Sequence, residues 1–187
     1  MNVTRKKPGL ISGVRIKGVS LQLLKPHRDS RGTFTEVFQK HWGTCLQDPV
    51  QWSIVHSEAG VFRGMHLHNR HDEYFSLISG RCLVGLKDVR EDSQTYEQSA
   101  LYQLDTTEPC AIIFPKGLLH GWYFTEPSIH LQAVSEAYND YGADDNWGCR
   151  WDDPELGIDW GVSEVNLSDR AAHFPGYEEL KRQLKTI

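Results

Sequence analysis

Short runs of β-branched and aromatic residues recur along the chain, each cut off by glycine, proline, aspartate, asparagine or serine: VRIKGVSLQLL, TFTEVF, QWSIVH, YFSLIS, RCLVGLKDV, AIIFP, GWYF and SIHLQAVSEAY. Such residues suit a pleated, half-buried surface, and the punctuation leaves no room for a long helix. The pattern predicts an all-β protein, an antiparallel sandwich or barrel. SLISGRCLVGLKD reads as two strands joined in a tight hairpin at Ser79-Gly80, with glycine free to take a positive φ. The end of the chain departs from this rhythm. In GYEELKRQLKTI, Tyr177, Leu180 and Leu184 recur at near-helical spacing and predict one short C-terminal helix within about 175–187.

No internal repeat or low-complexity linker breaks the 187 residues, so 1–187 reads as a single domain with its core over about 20–170. A net charge of −5 leaves no basic footprint for nucleic acid or for an anionic membrane surface. The start, MNVTRKKPGLISGVRIKGVS, lacks an apolar signal-like run, and no later stretch has the length of a membrane span, so the expected location is cytoplasmic. Cys45, Cys82, Cys110 and Cys149 are scattered singletons, which favours reduced, packed thiols over disulfides or a zinc knuckle.

Chemistry concentrates in GMHLHNRHDEYFSLISG, where His66, His68, His71 and Glu73 precede an apolar strand. Alternate residues of a strand face one side, so His66 and His68 can converge on one point. Glu73 follows His68 after four residues, and His120 lies in PKGLLHGWYF. Imidazole and carboxylate together suit zinc, iron, manganese or nickel. His71 reads as part of a polar turn.

The spacing H-x-H-x4-E-x6-G, followed by P-x-G-x2-H, resembles the two sequence motifs of the cupins. That resemblance implies a jelly-roll sandwich, with His66, His68, Glu73 and His120 as ligands of a divalent metal.

A longer resemblance runs over about residues 20–170. DSRGTFTEVF, SEAGVFRGMH, FPKGLLHGWYF and GCRWDDPELGIDW occur in the order and approximate spacing of the dTDP-4-dehydrorhamnose 3,5-epimerases, a nucleotide-sugar branch of the cupins. It implies removal of a proton beside a sugar ketone, stabilisation of the enolate, and return of a proton to the opposite face. On this resemblance His66 is the base and Asp169 its partner, and His120 lines the sugar pocket. Arg63 binds diphosphate, a match of planar fork to phosphate. Arg31, Phe34, Glu36, Gln51 and Arg170 contribute to substrate binding, Arg31 and its neighbours across a homodimer interface. The family requires no cofactor, and its ligand is a nucleotide-diphosphate sugar, dTDP-4-keto-6-deoxyhexose.

The chain departs from the family pattern in the catalytic groups. Glu73 falls where the family has a lysine, counting back from Gly80. The family's tyrosine faces Gln132, or Ser135 with different gaps, and Tyr138 and Tyr141 are out of register. The family's aspartate faces Ala171, with Asp169 two residues early. A divalent metal in the lysine's place is one expectation from these changes; it competes with the base for His66. The functional expectation is an epimerase or isomerase of a nucleotide-activated 4-keto-6-deoxy sugar, in deoxysugar and surface polysaccharide synthesis. The alternatives are a metal-dependent cupin enzyme acting on another small molecule and a nucleotide-sugar binder without catalysis.

Overall fold

A computed structural model describes residues 8–42, 47–142 and 144–185. Thirteen strands are present among them: β1 (Gly9–Gly13), β2 (Ser20–Leu23), β3 (Pro26–Asp29), β4 (Gly32–Thr35), β5 (Gln51–Ser57), β6 (Phe62–Leu67), β7 (Glu73–Ser79), β8 (Arg81–Asp88), β9 (Ser99–Asp105), β10 (Cys110–Phe114), β11 (Leu118–Phe124), β12 (Ser128–Val134) and β13 (Trp147–Gly148). The helices are short: α1 (Tyr138–Tyr141), α2 (Asp169–Ala172) and α3 (Tyr177–Leu184). A six-stranded sheet, β1-β9-β8-β11-β6-β13, faces a five-stranded sheet, β2-β10-β7-β12-β5, and β3 and β4 form a separate ribbon. All named strand pairs are antiparallel.

The inter-sheet core follows the period of two. Phe75 and Leu77 of β7 and Ile112 and Phe114 of β10 meet Val84 and Leu86 of β8, Leu104 of β9, and Trp122 and Phe124 of β11. β6 and β9 do not alternate in this way, because the outer face of the six-stranded sheet is also covered. There Phe62, Met65 and Leu67 of β6, with Leu101 and Leu119, pack under Leu156, Trp160, Tyr177 and Leu180. The expected C-terminal helix is α3. It buries Tyr177 and Leu180, each side chain contributing about 1.5–3 kcal/mol, and the Tyr177 hydroxyl donates to Glu97 Oε1 at 3.0 Å.

One expectation fails. Gly80 does not close a hairpin: β7 pairs with β10 and β12, and β8 pairs with β9 and β11 in the other sheet. With both edges of β7 occupied, β8 has nothing to pair with there, and the chain turns the corner of the sandwich instead. This lets Leu77 and Cys82 face one core from opposite sheets. The corner needs glycine, since Gly80 has φ of +91° and a Cβ there would stand 2.1 Å from Ser128 Oγ. Cys82, Cys110 and Cys149 are free and buried, as expected of packed thiols, while Cys45 and residues 1–7 lie outside the described residues.

Candidate active site

β6 carries the first functional residues. Its pairing with β11 sets His66 opposite His120, and a register irregularity follows between His120 and Gly121. Gly64 makes that approach possible. Its φ is +125°, and a Cβ would lie 2.6 Å from both Gly121 Cα and the His120 carbonyl oxygen. Beside this contact a cleft of about 320 Å³ opens, lined by Val55, Arg63, His66, Trp122, Gln132, Ser168 and Ala171 among others.

Arg63 is held at the cleft by two hydrogen bonds, from Nε to Ser57 Oγ at 2.9 Å and from Nη2 to the His56 carbonyl at 3.1 Å. Burial lowers its pKa somewhat. His66 is pushed down to about 3, first by desolvation and then by His120 and His68, so the ring is neutral near pH 7. Its ring packs edge-on to Phe174 at 5.8 Å between centroids.

Behind the cleft wall lies a buried polar centre. Glu73 Oε1 is 3.5 Å from His68 Nε2, 3.6 Å from His71 Nε2 and 3.4 Å from His120 Nε2. Its other oxygen accepts from Gln132 Nε2 at 2.9 Å. His68, Glu73 and His120 offer donor atoms all within 4.8 Å of one another. His66 stands outside that group, its ring 6.1 Å from that of His120 and 6.3 Å from that of His68. Burial alone would raise the Glu73 pKa, but the three histidines outweigh it and hold the carboxyl well below its ordinary value. His68 is pushed down to about 4 by desolvation, against the pull of Glu73.

His71 is no exposed turn residue. It is 1% exposed, its ring stacks on Tyr141 at 4.4 Å, and its Nδ1 lies 3.5 Å from Asp145 Oδ2. Asp145 caps this loop by accepting from the backbone of Asn69 at 2.7 Å and of Arg70 at 2.9 Å. His71 and Asp145 were missed because the loop is buried by residues some seventy positions later. The only local signal was a histidine two residues before Glu73.

The other sequence candidates are spread out. Of the two positions facing the family's tyrosine, Gln132 lines the cleft, whereas Ser135 Oγ accepts from the Asp72 backbone at 2.9 Å. Gln51 Oε1 accepts from the Tyr138 backbone at 2.8 Å. Arg31 and Phe34 are exposed on the β3–β4 ribbon, Arg31 pairing with Asp29, and Glu36 just beyond it is exposed. Asp169 is exposed at the start of α2 and makes no hydrogen bond or ion pair with His66. Arg170 donates to the Asn146 carbonyl at 2.9 Å and covers the Phe174 ring, close enough to depress His66. Ala171 lines the cleft.

A jelly-roll sandwich with a buried histidine cluster beside a cleft defines a cupin-type protein. Comparison with known proteins carries this further: the family model for dTDP-4-dehydrorhamnose 3,5-epimerase matches residues 13–179, and the chain belongs to that family. It is 30% identical to the spore coat polysaccharide biosynthesis protein SpsL of Bacillus subtilis, over 79% of this chain and 97% of that protein. Among solved structures, the Mycobacterium tuberculosis rmlC epimerase superposes with a TM-score of 0.83 at 26% identity, covering 92% of each chain. The Bacillus anthracis dTDP-4-dehydrorhamnose 3,5-epimerase, with TDP and PPi bound, gives 0.79 at 29% identity over 90% of this chain and 99% of that one.

Proposed function

We propose that this chain is a single-domain epimerase of a nucleotide-diphosphate 4-keto-6-deoxy sugar, most simply dTDP-4-keto-6-deoxyhexose, serving deoxysugar and surface polysaccharide synthesis. The observation that carries the reading is the neutral His66 beside Arg63 on one wall of the cleft. Arg63 engages the diphosphate through a charge that does not titrate near neutrality. His66 removes the proton on the carbon next to the ketone: the C–H bond breaks, the proton passes to imidazole, and the electron pair moves to the carbonyl oxygen. A proton then returns to the opposite face. Gln132 on the facing strand cannot act as the acid, so water is the donor there. The developing enolate oxygen needs hydrogen-bond donors or positive charge. Glu73 in the family's lysine position can supply neither, which supports a divalent cation, zinc, iron, manganese or nickel, at the neighbouring histidine centre.

Gln132 and Ala171 in place of ionisable groups favour a second reading, a binder that kept the pocket and lost the chemistry. Incubation with dTDP-4-keto-6-deoxyglucose in D2O separates the two. The proposal requires deuterium at C3 or C5, with exchange falling by about 10²-fold or more in His66→Asn. Absence of exchange in the native protein rejects the epimerase.

The assembly proposed is a homodimer. Trp52 and Ile54 of β5 and Ile78 of β7 are exposed on the outer face of the five-stranded sheet, and the ladder sets Ile54 beside Leu131 and His56 beside Ile129. An apolar stripe of this kind marks an association surface. A cytoplasmic location is supported by the three buried free thiols, and no helix among the described residues is long and apolar enough to cross a membrane.

A further inference from the structure

Within the epimerase reading, we infer that a divalent cation is held by three ligands, His68 Nε2, Glu73 Oε1 and His120 Nε2, and that His66 is not one of them. The cation and the base are then separate groups, and the competition for His66 disappears.

The tautomers carry the argument. His68 Nδ1 lies 2.5 Å from the Asp145 carbonyl oxygen, and His120 Nδ1 lies 2.9 Å from that of Leu118. A carbonyl only accepts, so each Nδ1 is the protonated nitrogen, and in the neutral ring each Nε2 then presents a bare lone pair. Both lone pairs meet Glu73 Oε1, at 3.5 Å and 3.4 Å, too far for a good hydrogen bond. Glu73 Oε1 and His120 Nε2 are buried and have no hydrogen-bond partner. Three acceptors that face one another in a dry site repel unless a proton or a cation lies between them; a proton would draw each pair to hydrogen-bond length, and the gaps of 3.4 Å and 3.5 Å suit a cation instead. Zinc bound at about 2.0–2.1 Å separates its tetrahedral donors by about 3.3 Å, close to the two nitrogen–oxygen separations to Glu73.

The surrounding contacts are those that orient ligands. The two backbone carbonyls fix the imidazoles, and Gln132 Nε2 fixes the carboxylate through Oε2. His68, His71 and Asp145 form a second cluster of candidate ligands within 4.8 Å. It is a poorer site, since the Asp145 carboxylate already accepts from Asn69 and Arg70 and His68 Nδ1 is taken by the Asp145 carbonyl. His71, 3.6 Å from Glu73 Oε1, falls outside the cluster that His68, Glu73 and His120 form. Three protein ligands leave coordination open, as in catalytic rather than structural sites. Gln132 joins the centre to the cleft, and His66 lies beside it. When bound, the cation supplies Lewis-acid charge beside a His66 that keeps both nitrogens free of metal.

Cobalt(II) alone, titrated into chelator-treated full-length protein, tests this by visible absorption and calorimetry with no substrate present. Native protein binds one equivalent with an intense low-coordination visible band. Glu73→Gln and His120→Asn weaken binding by about 100-fold or more, while His66→Asn stays within about threefold of native. Failure of native protein to bind cobalt(II), with no metal found by elemental analysis after chelator-free purification, overturns the site. Loss of binding in His66→Asn matching that in Glu73→Gln overturns the three-ligand assignment. If Glu73→Gln does not fold, His120→Asn and the native metal content decide. Deuterium exchange tests the epimerase reading separately, so either result can fail without the other.

Discussion

His130 is the buried histidine most open to test, because desolvation in the inter-sheet core outweighs the pull of Glu73 and Gln132 on its proton. It is fully buried, stacked between Phe75 at 4.5 Å and Phe124 at 5.3 Å, and neither ring nitrogen has a hydrogen-bond partner. Desolvation, with help from Arg63, pushes its pKa down from 6.5 to about 4. The unfolded chain therefore takes up the proton first. Stability is intact above the unfolded pKa of about 6.5 and is lost as pH falls towards about 4, at about 1.4 kcal/mol per pH unit. Between about pH 7.5 and pH 5 the loss from this one residue is about 2 kcal/mol. Replacing the ring with phenylalanine removes the titration and keeps the stack. Any overpacking penalty, about 1–3 kcal/mol, is the same at both pH values. Urea unfolding of native protein and His130→Phe at the two pH values isolates the effect: the variant should lose about 2 kcal/mol less. Equal losses in the two proteins would refute the reasoning.

Gly64→Ala places a Cβ 2.6 Å from the backbone of β11, so it should cost at least about 3 kcal/mol; a melting temperature near native would show that the strand contact is looser than described. Arg63→Lys should raise KM for the nucleotide sugar by about tenfold or more with kcat little changed, because the bidentate fork is lost; unchanged steady-state kinetics would remove Arg63 from the diphosphate site. Ile54→Lys should leave a folded monomer by sedimentation, and a persisting dimer would move the interface off the five-stranded sheet.

Much of this protein is local in origin. The short β-branched and aromatic runs such as RCLVGLKDV and YFSLIS determined strands, the spacing of Tyr177, Leu180 and Leu184 determined α3, and separated motifs around Arg63, His66 and His120 carried the family. These are legible because a strand's two faces and a helix's stripe repeat over a few residues. The tertiary structure decided the rest. Strands β6 and β9 escape a period-of-two reading because both of their faces are covered. Gly80 turns a corner rather than a hairpin because hydrogen-bonding edges are allotted by the whole sheet. Glu73 meets Gln132 from 59 residues away, and His71 is buried by Tyr141 and Asp145. Which histidines share Glu73, and which one stays free as a base, depends on ring positions fixed by strand register and distant carbonyls, and no spacing along one chain encodes those.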